Sequence, residues 1–151
     1  MDIVFYCVAF CVALFGKPKH IQATATLLES GVDGCGSVLL DYEGVSVTIE
    51  HSKISRSYVS SEIQGEDGAI IIDQISLLEN VRLHQRNGGH EKLLAHSSKN
   101  SMEKEAISFA KLIHYNQIDK TLTLRSQITA QTITKIRMLT HVHFPSDSHT
   151  I

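Results

Sequence analysis

Short segments of alternating apolar and polar residues, separated by turn residues, fill the middle of this 151-residue sequence. Residues 45–50 alternate most strictly, and the preceding Glu43-Gly44 suits a two-residue turn. Turns this short join neighbouring antiparallel strands. The pattern therefore predicts about seven strands in a largely antiparallel sheet. Their approximate bounds are 21–27, 37–42, 45–50, 57–63, 69–73, 76–85 and 90–94.

Helical patterns lie on both sides of the strand region. An apolar run at residues 3–15 stops at Gly16-Lys17-Pro18, a typical set of helix-termination residues. Helical spacing returns from Asn100 or Ser101 to Ile113, and again from about Ser126 through Leu139. In the last of these segments we expect the apolar residues to face inward. They are Ile128, Ile133 and Ile136.

These elements together predict an α+β fold. We expect two layers, with a largely antiparallel open sheet and helices packed on one of its faces. The length suits a single domain over residues 1–151, ending in a loose tail from about 146 to 151. The uncovered sheet face carries small polar residues, which fits either a solvated face or a contact with another subunit. They are Thr24, Thr26, Ser46, Thr48 and Ser60.

The apolar run at residues 3–15 could also serve as an address or an anchor. It is shorter than the roughly twenty residues that a membrane-spanning helix needs. A secretion signal normally begins with positive charge, whereas this run follows Asp2. A buried helix is therefore the favoured interpretation, and a small secreted β-rich protein with a cleaved leader stays as a rival.

Composition restricts the partners and the compartment. The 14 Lys and Arg residues nearly balance the 16 Asp and Glu residues, and the formal net charge is −2. The charge therefore gives no reason to expect binding to nucleic acid or to an anionic membrane. The odd cysteine count favours a reducing, cytoplasmic setting. Cys7 and Cys11 are one helical turn apart, but they are better interpreted as small hydrophobic residues than as metal ligands.

Several short motifs follow one another along the chain. Each is unspecific alone, and their order carries the information. They are Asp2-Ile3-Val4-Phe5-Tyr6, Leu14-Phe15-Gly16-Lys17-Pro18, Ser30-Gly31-Val32-Asp33, Leu40-Asp41-Tyr42-Glu43-Gly44, Ile63-Gln64-Gly65-Glu66-Asp67-Gly68, residues 105–113 and Phe144-Pro145-Ser146-Asp147.

Taken in this order, the motifs resemble the C-terminal domain of the glucose-fructose oxidoreductase, inositol dehydrogenase and rhizopine catabolism (Gfo/Idh/MocA) oxidoreductases. The resemblance implies a parent enzyme that uses NAD or NADP to oxidise a hydroxyl of a sugar, polyol or related compound. It also implies an N-terminal nucleotide-binding domain with a Gly-rich turn and a Glu-Lys-Pro motif. Neither feature occurs in this sequence.

We therefore expect a substrate-binding and oligomerisation domain that binds no dinucleotide alone and is inactive alone. The resemblance implies self-association through the open sheet face, a small-molecule substrate and a separate nucleotide-binding domain as a partner. No nucleic acid or membrane is expected. The alternative is a non-catalytic binding or assembly module that reuses the same fold.

Asp2 and Tyr6 are the candidate catalytic residues that the resemblance assigns. Their i, i+4 spacing places both side chains on one face of a helix. In the family the aspartate orients the substrate carbinol, and the tyrosine, or a histidine in other members, hydrogen-bonds the substrate or relays the proton. The alternative is an acidic residue in a first helical turn beside a partly buried aromatic. Val4 departs from the glycine common in the family.

The histidines are weaker candidates. His141 and His143 could bind a metal, but alternate residues near a tail are more often ordinary surface histidines. The remaining ones considered are scattered, and nothing in the sequence pairs them with a nucleophile. They are His20, His51, His84, His90 and His114.

Overall fold

The computed structural model describes residues 2–76, 79–94, 101–144 and 147, including every side chain in them except those of Asp2, Glu79, Leu94, Ser101 and Lys104. These residues form helices and strands in the order α1 (Asp2–Phe15), β1 (His20–Leu27), β2 (Asp33–Tyr42), β3 (Val45–Ser52), β4 (Ser61–Gly65), β5 (Gly68–Gln74), β6 (Glu79–Gln85), β7 (His90–Leu94), α2 (Ser101–His114) and α3 (Lys120–Leu139).

The α+β class is confirmed, and every described strand pair is antiparallel. The strands divide into a sheet of order β1-β2-β3 and another of order β4-β5-β6-β7. By contact the chain separates into two compact units. Unit 1 contains α1, β1–β3 and α3, and unit 2 contains β4–β7 and α2. That the chain is a single domain stays a prediction.

The core of unit 1 lies between the three-stranded sheet and helices α1 and α3. Cross-strand partners such as Val38 and Ile49 point towards the helices, and both are buried. From α3, Ile136 is fully buried, and Ile128 and Ile133 pack against the same cluster. The inward orientation predicted for these three isoleucines is therefore confirmed.

Helix α1 is apolar all round but is covered on one side only. Val4, Val8 and Val12 are buried at helical spacing, whereas Phe5 and Tyr6 are about half exposed. The helix ends as its sequence predicts. Gly16 has a φ of 76°, and its N–H donates to the Val12 carbonyl. No helix in the described part of the chain is long and apolar enough to cross a membrane.

Unit 2 is a four-stranded meander with two different faces. Ile63, Ile70 and Leu83 share one cross-strand row, and Ile72 beside them is buried. The opposite face is polar, and there Asp73 accepts hydrogen bonds from Arg82. Helix α2 ends at His114, and Asn116, two residues later, has a φ of 48° that lets the last helix carbonyls accept hydrogen bonds in a tight C-terminal turn.

Three elements begin four or more residues away from the predicted position. Helix α3 begins at Lys120, six residues before the predicted Ser126, and β4 begins at Ser61 rather than at residue 57. Strand β2 begins at Asp33 rather than at residue 37, because Gly34 and Gly36 continue the β2 ladder instead of forming a turn. The predicted tail at 146–151 lies outside the described residues except for Asp147, which accepts a hydrogen bond from the Phe144 N–H.

Candidate functional site

A buried carboxylate marks the start of β2. Asp33 is 1% exposed, although aspartate is rarely buried without a charged or hydrogen-bonding partner. Lys53 donates a hydrogen bond from Nζ to its Oδ1 over 3.2 Å. The Lys53 backbone N–H also donates to the Gly34 carbonyl, which fixes the end of β3 against the start of β2.

His51 completes this buried cluster. Its Nε2 lies 3.3 Å from Oδ2 of Asp33, and its side chain is only 1% exposed. Among the residues that the structure describes, Nδ1 of His51 has no hydrogen-bond partner. Asp33, His51 and Lys53, which we call the buried charge cluster, therefore bring three titratable groups together beneath the surface of unit 1.

The space for the His51 ring comes from a glycine. His51 pairs with Gly36 across the β2–β3 ladder, and the same row continues to Ala25 on β1. A Cβ added at Gly36 would lie 2.9 Å from Cε1 of His51 and 2.5 Å from the Thr24 carbonyl oxygen. Gly36 thus leaves the hollow that the imidazole fills, which explains why a glycine stands inside a strand.

The pKa values of His51 and Asp33 are both lowered, but for different reasons. Burial lowers the pKa of His51, and the nearby Asp33 carboxylate offsets only part of this effect. Burial alone would raise the pKa of Asp33, but cationic neighbours, Lys53 among them, outweigh it and hold that pKa below its usual value. At neutral pH the cluster therefore contains a neutral imidazole, a carboxylate and an ammonium.

These shifts predict acid sensitivity. Because the pKa of His51 is lower in the folded state than its unfolded value of about 6.5, the unfolded state binds the proton more readily. The stability that the neutral imidazole contributes is present above about pH 6.5 and is lost below it. The depressed pKa of Asp33 acts only at lower pH, below about 4. Between pH 7 and 5 we therefore expect the loss to come from His51.

The measurement is the free energy of urea unfolding at intervals between pH 7.5 and 5. The wild-type slope should approach, without exceeding, about 1.4 kcal/mol per pH unit for one proton. His51→Gln should flatten the profile, and His20→Gln, at an exposed position of β1, should leave it unchanged. Parallel profiles for wild type and His51→Gln would contradict this assignment.

Helix α1 begins at the same end of unit 1 as the buried charge cluster. Its last residue, Phe15, packs on Tyr42 at the end of β2, with ring centroids 5.5 Å apart. A helix of 14 residues is about 21 Å long. From the contact between Phe15 and Tyr42, α1 extends back along β3. Its first turn therefore points back towards the end of the sheet where β2 begins and β3 ends.

The first two turns of α1 carry the predicted catalytic positions. Asp2 is its first residue, and Tyr6, one turn later, is 58% exposed with its ring edge-to-face with Phe5 at 6.0 Å. Val4 points the other way and is fully buried in the core. The branched side chain that replaces the family glycine therefore packs inside unit 1, away from the exposed face of Tyr6.

The buried charge cluster was missed because its members are remote in sequence. Asp33 and Lys53 are 20 residues apart, and their proximity depends on the register of β2 and β3. The sequence paired none of the scattered histidines with a nucleophile, and the partner that the structure gives His51 is the Asp33 carboxylate. A signal did exist, since Lys53 follows His51 by two residues at the end of β3 while glycines occur at the start of β2.

Cys7, Cys11 and His141 were also considered as metal ligands from the sequence. Cys11 is buried in the core, where burial raises its pKa to about 11, and Cys7 is half-buried with a raised pKa for the same reason. Both are free thiols. His141 follows α3 with a φ of 56°. No group of three potential metal ligands occurs among the described residues.

Comparison with known proteins links the chain to oxidoreductases. No protein-family model matches it. It is 47% identical over 148 residues to YgjR of Escherichia coli, named an uncharacterized oxidoreductase, and 41% identical over 149 residues to the scyllo-inositol 2-dehydrogenase (NADP(+)) IolU of Bacillus subtilis. These matches cover 98% and 97% of the chain but only 45% of either relative. The chain thus spans less than half the length of these relatives.

Solved structures share the fold at lower identity. A variant of the 3-ketoreductase KijD10 from Actinomadura kijaniata, bound to TDP-benzene and NADP, has a TM-score of 0.77 at 16% identity, over 92% of the chain and 46% of that structure. The UDP-N-acetylglucosamine 3-dehydrogenase GnnA from Acidithiobacillus ferrooxidans gives 0.74 at 14% identity, over 93% and 46%. At such identities the likeness establishes the fold alone.

Proposed function

Because the chain belongs to the Gfo/Idh/MocA oxidoreductases and matches the C-terminal half of its relatives, we propose that it is their substrate-binding and oligomerisation part. The parent reaction in this proposal is NAD(P)-dependent oxidation of a hydroxyl on a sugar, polyol or related compound. The observation that carries the proposal is the kinship to a scyllo-inositol dehydrogenase over nearly the whole chain. The exposed Tyr6 near the start of α1 supplies the candidate contact with substrate.

Two side chains of α1 have roles in this proposal. The Asp2 carboxylate accepts a hydrogen bond from a substrate hydroxyl and thereby orients the carbon that carries it. The Tyr6 phenol, one helical turn away, hydrogen-bonds the reacting oxygen and relays its proton. The buried charge cluster supports the end of the sheet towards which this turn points, so its contribution is to hold the site rather than to touch substrate.

A dinucleotide does not fit the described residues. Both sheets are antiparallel, whereas dinucleotides bind at the carboxyl ends of parallel strands beside a helix N-terminus. Gly34 and Gly36, the closest approach to a glycine-rich turn, are part of the β2 ladder and face Leu28 and His51. We therefore assign NAD or NADP to another part of the parent protein, where it would supply the hydride chemistry.

Self-association belongs to the same proposal. The sheet face of unit 1 opposite α1 exposes Thr24, Ser46, Thr48 and the apolar Leu39, which is 36% exposed. The same face carries the Asp41 and Glu50 carboxylates, so a contact with a second copy would have to leave these two charges at its solvated rim. We further propose a cytoplasmic location, in keeping with the three free cysteines.

Saturation-transfer NMR of the chain with a panel of polyols and sugars, scyllo-inositol included, tests substrate binding. We expect weak binding of at least one polyol, and Tyr6→Phe should weaken it by about three- to tenfold, the worth of one hydrogen bond. Tyr58→Phe is the matched control, because Tyr58 is 92% exposed in unit 2.

Three outcomes discriminate the alternatives. Absence of binding across the panel, with dimers in sedimentation, would favour the non-catalytic assembly module. Equal binding by wild type and Tyr6→Phe would remove Tyr6 from the site. Oxidation of a polyol by this chain with NADP would contradict the assignment of the dinucleotide to another part of the parent.

A further inference from the structure

Two histidines face each other on the polar side of the unit 2 sheet. His84 on β6 pairs directly with His90 on β7, and their ring centroids are 4.6 Å apart with an interplanar angle of 70°. The first of the two is half-buried and the second is exposed. Neither has a role in the proposed dehydrogenase site, which lies in unit 1.

The turn of the β6–β7 hairpin places His84 and His90 where the side chains of the two strands come closest together. The Gln85 N–H donates to the Gly89 carbonyl, so these two residues form the hydrogen-bonded pair that closes the β6–β7 hairpin. Pairs alternate along an antiparallel ladder, and the next pair, His84 and His90, is therefore a non-hydrogen-bonded one. Side chains in such pairs are closest, with Cα atoms about 4.5 Å apart.

From this geometry we propose that His84 and His90 form a two-imidazole site for a divalent transition metal ion such as Cu²⁺, Ni²⁺ or Zn²⁺. Imidazole nitrogens bind zinc at about 2.0–2.1 Å, so two nitrogens on one ion lie roughly 3–4 Å apart. Rings with centroids 4.6 Å apart reach that separation by rotation about their side-chain bonds. Imidazole suits these ions, whereas Mg²⁺ and Ca²⁺ prefer oxygen.

The surrounding charges leave room for a cation. Arg82, on the same face, is paired with Asp73, which neutralises the nearest positive charge on β6. Lys92 pairs with Arg82 across the ladder, and its flexible side chain can turn to solvent. Arg82, Lys92 and Arg86, which lines the surface beside His84, set an upper limit on the affinity, so we expect a modest site rather than a structural zinc centre.

Next to His84, on the side of β5, the surface has an open hollow. Ala69 is the neighbour of His84 on β5, and its small side chain forms part of a hollow of about 430 Å³. Glu62, Glu66 and Arg86 also line this hollow, so its walls carry two carboxylates together with one guanidinium. Among the described residues no third His, Cys, Asp or Glu completes a ligand set. Water therefore fills the remaining coordination positions.

Zinc titration of the isotope-labelled chain, followed by the imidazole Cε1–H resonances, tests the site. We expect His84 and His90 to shift together with one-to-one saturation. His84→Ala and His90→Ala should each weaken Zn²⁺ binding at least about tenfold, since losing even a residue that orients a ligand costs 10–100-fold. His114→Ala, at an exposed histidine of α2, is the matched control and should not change the affinity.

Electron paramagnetic resonance with one equivalent of Cu²⁺ provides a readout that does not depend on affinity. Wild type should show coupling to two nitrogens, and each single variant to fewer. Both single variants lie on a sheet surface, and an unchanged far-UV circular dichroism spectrum establishes that they fold. Zn²⁺ affinity that is unaffected by both variants, or coupling to a single nitrogen in wild type, would overturn the proposal.

Discussion

Replacing Asp33 with alanine should lower the free energy of unfolding by about 3 kcal/mol, the lower end of the range for removing one partner of a buried ion pair. The reason is that Lys53 and His51 would lose the carboxylate around which they are arranged. The value lies at the lower end because the Lys53 side chain is 26% exposed and can turn its ammonium towards water. His51, neutral at pH 7, adds a desolvation cost but no unpaired charge.

Urea unfolding followed by far-UV circular dichroism measures this effect, since the chain has no tryptophan. Asp41→Ala is the matched control, because Asp41 is on the same strand and only half-buried. It should change stability by no more than about 0.5 kcal/mol. Asp33→Asn keeps the shape and should fall between the two. If Asp33→Ala costs no more than Asp41→Ala, the buried charge cluster does not stabilise unit 1.

Replacing Gly36 with alanine should destabilise the chain by about 1–3 kcal/mol, the usual cost of overpacking. The added methyl would lie 2.5 Å from the Thr24 carbonyl oxygen, which is backbone held in the β1–β2 ladder. It would also lie 2.9 Å from Cε1 of the His51 ring, and that side chain is only 1% exposed. Either the strands separate locally or the imidazole leaves its hollow.

Gly34→Ala is the matched control, two residues earlier on β2. Its Cβ would meet Cδ2 of Leu28 at 2.8 Å, but that is the end of a flexible side chain that is 38% exposed and can move aside. Unfolding free energies and the pH dependence of stability should both be measured. We expect Gly36→Ala alone to alter the acid profile, because it displaces His51. Equal costs for the two substitutions would show that the hollow around the imidazole is not tightly filled.

Patterns among residues close in sequence predicted most of the helices and strands. The end of α1 at Gly16 depends on a glycine that adopts a positive φ, and the turn at Gly44 depends on the same property. The alternation of residues 45–50 predicted a strand, which is β3 in the structure. Helical spacing predicted that Ile136 faces inward, and it is fully buried. Such features depend on neighbours within a few residues, so a single sequence carries them.

The candidate site was predicted only in its local part. Asp2 and Tyr6 could be placed on one helical face from their spacing, and their catalytic roles stay predictions. The division of seven strands into two sheets could not be predicted, because the alternation of a strand does not identify its partner. Nor could β2 be extended to Asp33, since Gly34 and Gly36 have the composition of a turn.

The sequence by itself therefore determined the order of helices and strands, the antiparallel direction of neighbouring strands and the i, i+4 relation of Asp2 and Tyr6. Only the tertiary structure decided that Asp33, His51 and Lys53 meet in a buried cluster, and that His84 and His90 share a rung of the second sheet. The physical reason is that strand register is set by packing across the whole sheet. Contacts between distant residues exist only once that register is formed.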